Sequence, residues 1–132
     1  MFLLDTNVLS ALVREPQGTV AARIALAGEA NICTSIVVAA ELRYGAAKRG
    51  SARLAQQLDT ILGALDIVPF ESPMDRVYAD LRNTLEQRGR PIGGNDLIIA
   101  AQALALDATL VTDNVKEFEQ VPGLKVENWV RV

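Results

Sequence analysis

The chain has 132 residues, half of them hydrophobic and 22% charged, with a formal net charge of −3; this fits one globular domain over residues 1–132 that buries its own core, and excludes a disordered chain. It contains no histidine and a single cysteine, Cys33, which excludes an internal disulfide, a Cys/His zinc site, a Ser-His-Asp triad and a Cys-His pair. What remains is the chemistry of carboxylates, hydroxyls, amides, Lys and Arg.

Phe2-Leu3-Leu4 reads as a short buried strand that stops on Asp5-Thr6-Asn7, a carboxylate, a hydroxyl and an amide that are all potential oxygen ligands. Leu9, Leu12 and Val13 follow at helical spacing, so Asp5 or Thr6 caps that helix, or Asp5 stands in the crevice beyond a strand's carboxyl end where open α/β sheets bind ligands. Because Asp5 interrupts the opening apolar run and no later run approaches a membrane span, the expected location is the cytoplasm.

A second strand is expected over Asn31 to Thr34, and a helix over the apolar stretch from Ser35 to Ala47 that contains Glu41. No cation lies three or four residues from Glu41, and Arg43, two residues away, faces elsewhere on a helix. Unless it sits on an exposed edge, this carboxylate must find a positive charge or raise its pKa. Arg43, Lys48, Arg49 and Arg53 form an acid-free run between Leu42 and Leu58, either a solvated helix face or a phosphate-binding patch. Helical stripes follow at Leu54, Leu58, Ile61, Leu62, Leu65 and at Met74, Val77, Tyr78, Leu81, Leu85, both reading as core faces. Between them Asp66 to Pro69 is a third strand.

Asp96 is the one charged residue from Pro91 to Leu106. It follows Gly93-Gly94, whose backbone is flexible, so Asn95 or Asp96 either caps the next helix or serves a site. Thr109 to Thr112 then ends on Asp113-Asn114 and repeats the pattern of the opening segment, although a β-turn explains it equally well. Lys125 to Asn128 is the last strand-like run.

Strands alternating with helices imply right-handed crossovers and a three-layer α/β/α domain with a mostly parallel sheet. Acids placed in the most apolar parts of a histidine-free chain call for a shared counter-charge. A hard divalent cation such as Mg²⁺ or Mn²⁺ fits, and with it phosphodiester hydrolysis.

Four segments together resemble the PIN domain, and more narrowly the VapC toxins of VapBC toxin-antitoxin pairs: Phe2-Leu3-Leu4-Asp5-Thr6-Asn7, Ala40-Glu41-Leu42-Arg43-Tyr44-Gly45-Ala46, Arg90 to Ala100, and Val111 to Phe118. The resemblance covers nearly the whole chain. It implies a parallel five-stranded sheet and a Mg²⁺- or Mn²⁺-dependent ribonuclease, with Asp5, Glu41 and Asp96 as the acidic centre and Thr6 as a hydroxyl beside it. The family's fourth acid falls at Asn114, a departure that leaves Asn114 or Asp113 to complete the site and the number of metals open. The resemblance further implies a VapB-like antitoxin, toxin-antitoxin hetero-oligomers, a homodimer, and a structured RNA substrate such as tRNA, with Arg43, Lys48, Arg49 and Arg53 as backbone contacts. A phosphotransferase of the haloacid-dehalogenase type would want an acid where Asn7 stands. The alternative from another class is a Mg²⁺-holding, receiver-like signalling or interaction module, for which Lys116 is a loose candidate lysine.

Overall fold

The computed structural model describes residues 1–131. Five strands, β1 (Phe2–Leu4), β2 (Ile32–Ser35), β3 (Asp66–Val68), β4 (Thr109–Val111) and β5 (Lys125–Glu127), pair in the order β3-β2-β1-β4-β5. Every pairing is parallel. Leu3 sits between Cys33 and Leu110, and Leu4 between Thr34 and Val111. All six are buried, which is why these strands read as continuous apolar runs rather than as alternating ones.

Among the described residues seven α-helices join the strands: α1 (Thr6–Arg14), α2 (Thr19–Ala27), α3 (Ile36–Arg49), α4 (Ala52–Gly63), α5 (Met74–Gln87), α6 (Gly94–Ala105) and α7 (Val115–Phe118). From β1 the chain steps outward through β2 to β3, then crosses back to place β4 and β5 on the other side of β1. Right-handed crossovers in opposite directions put helices on both faces, giving the α/β/α layers. The winding reverses between β1 and β4, and the crevice of an open sheet opens at such a reversal.

Strand ends shift by one residue from their expected places, for local reasons. Asn31 belongs to a 3-10 turn, Glu29–Asn31, where its side-chain amide donates to the Ala27 carbonyl. Pro69 lacks the N–H that a ladder needs and lies just past β3. Thr112, past β4, donates its N–H to Glu127 O at 2.9 Å and keeps its side chain for other contacts.

The expected stripes form the core sides of α4 and α5: Leu58 and Leu62 are buried on one, Met74, Leu81 and Leu85 on the other. Ser35 caps α3 through a hydrogen bond from Val37 N. Gly50, at φ 62°, ends it in the left-handed conformation that turns the chain into α4. Gln102 of α6, wholly buried, donates to the carbonyls of Val68 and Pro69 and so ties β3 to α6. Among the described residues no helix is long and apolar enough to cross a membrane.

Candidate active site

Asp5 is both a cap and a site residue. It is the N-cap of α1, and its Oδ1 accepts from Thr6 N at 2.8 Å. Its N–H donates to Val111 O, which fixes it against β4 at the reversal of the sheet. Oδ2 accepts from Thr112 Oγ1 at 2.8 Å and from Asn7 Nδ2 at 3.2 Å. The residue is only 4% exposed. Burial raises its pKa, and the hydrogen bonds from Thr112, Thr6 and Asn7 hold part of that rise back.

Asn7 differs from its expected part as an oxygen ligand. Its Oδ1 accepts from Asp113 N at 2.8 Å, and its amide group also reaches Thr112 Oγ1 at 3.3 Å. It therefore clips the turn after β1 to the turn after β4. Thr112 completes the clip by accepting from Asn114 N at 3.0 Å, so two turns that are distant in sequence are held as one rim around Asp5.

Glu41 lies about one and a half turns into α3, half-buried rather than enclosed. The apolar residues of α3 divide between surroundings: Val38, Ala39 and Ala46 are buried, whereas Ile36 and Tyr44 are 46% and 64% exposed. Thr6 Oγ1 donates to Glu41 Oε2 at 3.2 Å and Asn95 Nδ2 donates to Oε1 at 3.1 Å. The two donors are neutral. They come from the residues next to Asp5 and next to Asp96, so Glu41 is tied to both other acids.

Asp96 stands in the first turn of α6, whose N-cap is Gly93 and has no side-chain cap. Neither Asn95 nor Asp96 caps this helix. Gly93 has an ordinary φ of −59°, so its left-handed freedom is not used; its N–H donates instead to Glu117 Oε1 at 3.3 Å. Burial, then the hydrogen bond and charge of Glu117, then the charges of Asp5 and Glu41, push Asp96 up to about 7.

Glu117 is the acid that sequence reasoning missed. It lies on α7, with Asn114 three residues earlier donating its side-chain amide to Glu117 Oε2. The three-residue offset on a helix was the available signal. Asn114, expected as a neutral ligand, thus orients a carboxylate. Asp113, its expected substitute, is turned away: Oδ1 accepts from Asn128 Nδ2 at 3.1 Å and pairs with Arg131 Nε at 2.8 Å. The Oδ1 of Asp113 is thus engaged with the C-terminal segment.

Asp96 thus lies within electrostatic reach of Glu117, Asp5 and Glu41, and among the described residues none of these four acids is paired with a Lys or Arg. Among the same residues no three Asp, Glu, His or Cys side chains are gathered into a ready cation cage. The donors are all hard oxygens, and Asp96 is raised first by burial and then by the neighbouring acids, both of which a divalent cation would offset. Of the expected RNA contacts, Arg43 is paired with Asp59 of α4 at 2.7 Å. Lys48, Arg49 and Arg53 are exposed, and Arg49 lines a groove of about 270 Å³ that also takes in Thr6 and Glu41.

The PIN domain family model matches residues 2–124. Ribonuclease VapC2 of Rickettsia felis is 41% identical, over 98% of each chain. The tRNA(fMet)-specific endonuclease VapC of Shigella flexneri is 31% identical, over 97% of each. Among solved structures, VapBC2 from Rickettsia felis bound to a DNA fragment from their promoter superposes with a TM-score of 0.87 at 39% identity, covering 97% of this chain and 98% of that one. A family model that matches residues 2–124 and a relative 41% identical over 98% of each chain make this chain a member of the PIN-domain family and of its VapC proteins.

Proposed function

We propose that this chain is a Mg²⁺- or Mn²⁺-dependent endoribonuclease, the toxin of a toxin-antitoxin pair, and that it hydrolyses phosphodiester bonds in a structured RNA of the tRNA class. The observation that carries the reading is the approach of Glu117, Asp5 and Glu41 to Asp96, from α7, the end of β1, α3 and α6, without an ion-paired Lys or Arg among the described residues. The relatives named as ribonucleases and, in Shigella flexneri, as a tRNA(fMet)-specific endonuclease support the substrate class.

Asp5 and Asp96 would hold the cation, with Glu117 and Glu41 beside them. A divalent cation bound there supplies Lewis-acid activation of water and offsets charge on the phosphate oxygens. Glu41, braced by Thr6 and Asn95, would bind the cation or orient the attacking water and accept its proton. Thr112 and Asn7 keep the Asp5 oxygens aimed, and Asn114 does the same for Glu117.

A VapB-like antitoxin is the proposed protein partner, because the solved relative is a VapB-VapC complex. The groove between α1, α3 and α4 combines Val13, Leu42 and Leu54 with Arg14 and Arg49 and opens at Thr6 and Glu41. An antitoxin segment seated there would cover the acidic centre. A homodimer belongs to the same reading.

The test uses protein freed of any antitoxin and incubated with total RNA. Mg²⁺ or Mn²⁺ should give discrete cleavage ends, chelation by EDTA should remove them, and renewed Mg²⁺ should restore them. Identical cleavage in EDTA refutes the cation requirement, and intact RNA under every cation refutes the nuclease.

A further inference from the structure

The molecule carries cations that the acidic centre does not use. Arg23, Arg43, Arg82, Lys125 and Arg131 are engaged in ion pairs. Arg88, Arg90 and Lys116 are exposed, and among the described residues they are in none. All three line one open cleft of about 750 Å³, together with Asn114 and Glu117. That volume lies within the range of ligand sites, about 300–1,000 Å³. Because Asn114 and Glu117 belong to the rim of the acidic centre, cleft and centre are continuous.

The placement of these cations follows from the fold. Arg88 ends α5, and Gly89, at φ 67°, turns the chain sharply. Arg90 N then donates to Leu85 O at 2.9 Å, so both arginines are fixed at the end of α5, on the segment that leads into Asp96. Lys116 comes from the other side, on α7, next to Glu117. Two acids also border the cleft, Glu117 and Glu119; Glu117 is bonded to Gly93 N and Asn114 at the centre.

We propose that the Arg88–Arg90–Lys116 cleft seats backbone phosphates of the RNA next to the scissile bond. This rests on the ribonuclease reading and extends it. A centre made of carboxylates repels a polyanion, so the strand must be held by cations just outside it. The cleft is on the β4 side of β1, and Arg49 is on the β2 side. A strand crossing the sheet edge therefore meets positive charge on the β4 side at the cleft, rather than only along α3 and α4.

The test compares antitoxin-free wild type with the triple variant Arg88→Gln, Arg90→Gln, Lys116→Gln. Cleavage is followed on unfractionated tRNA, and binding on a labelled single-stranded RNA oligonucleotide with Asp96→Asn added to both proteins. The triple variant should lose about 10- to 100-fold in kcat/KM, mainly through KM, and bind RNA correspondingly less well. Between about 50 and 200 mM salt, its plot of log affinity against log salt should flatten by roughly 0.7 for each phosphate no longer neutralised. Its Mn²⁺ affinity and melting temperature should match wild type, and Arg88→Lys with Arg90→Lys should recover most of the loss. Arg76→Gln, roughly 18 Å away at the other end of α5 by helical rise, should change nothing. Wild-type cleavage and binding by the triple variant, or no RNA binding by wild type, would overturn the proposal. If wild type binds RNA through the cleft but never cuts it, the cleft stands and the nuclease reading falls.

Discussion

Asp96→Asn should lower RNA cleavage at least a thousandfold, a loss of ~4 kcal/mol in transition-state stabilisation, while making the free protein more stable at alkaline pH. The two effects have one cause. Burial and the neighbouring Glu117, Asp5 and Glu41 raise the Asp96 carboxyl from 3.8 to about 7, so the folded protein holds a proton over a range where the unfolded chain has released it. Stability therefore falls as pH rises from about 4 to about 7, and the whole penalty is present above 7. Asparagine removes it. After allowance for solvent screening of a half-buried group, the gain at pH 8 in EDTA is about 1 kcal/mol, or roughly 4 °C in Tm. Near pH 4 the gain should vanish. Thermal melts of both proteins at the two pH values, with cleavage assays alongside, check the prediction. Full activity in the variant would remove Asp96 from the site.

Phe118→Ala should be the most damaging single change to the fold around the site. Phe118 is wholly buried and is the last residue of α7, a helix of 4 residues that cannot hold its shape by backbone bonds alone. Its ring anchors the segment that places Glu117 against Asp96 and Asn114 beside Thr112. Truncation should cost about 4 kcal/mol, lowering Tm by roughly 15 °C. Phe118→Leu should cost only about 1 kcal/mol because it keeps most of the apolar volume. Denaturant melts give the stability. Activity measured well below the melting temperature should still be reduced in the alanine variant, because Glu117 and Asn114 lose their support. An alanine variant as stable as wild type would show that α7 is held by something else.

The sequence displays its strands because they are short apolar runs ended by polar turns, and the parallel order follows from helices lying between them. Asp5 and Asp96 stand out as lone acids beside apolar segments. Glu117 does not: it lies among Lys116 and Glu119 in a run that looks solvated, and only the single turn of α7 brings it inward. Asp113 misleads for the opposite reason. It occupies a strand end that resembles that of Asp5, but its partners, Asn128 and Arg131, lie at the far end of the chain, a pairing that no local pattern reveals. Glu41 looks buried in a helix of apolar residues, yet α3 is rich in alanine and shows no single stripe, so which face turns outward is decided by its packing against α1 and α4. The acid-free run from Arg43 to Arg53 reads as a solvated helix face or a phosphate patch, and no local pattern shows that Asp59, on the next helix, pairs with Arg43.

The most direct measurement of a shared cation is a Mn²⁺ titration of the antitoxin-free protein, followed by calorimetry or electron paramagnetic resonance. Wild type should bind Mn²⁺ in competition with Mg²⁺, more weakly as the pH falls below about 7, where Asp96 takes up its proton. Asp5→Asn, Asp96→Asn and Glu117→Gln should each weaken binding by about tenfold or more. Binding that is independent of pH and unchanged in all three variants, or no binding at all, would contradict a cation held between these carboxylates.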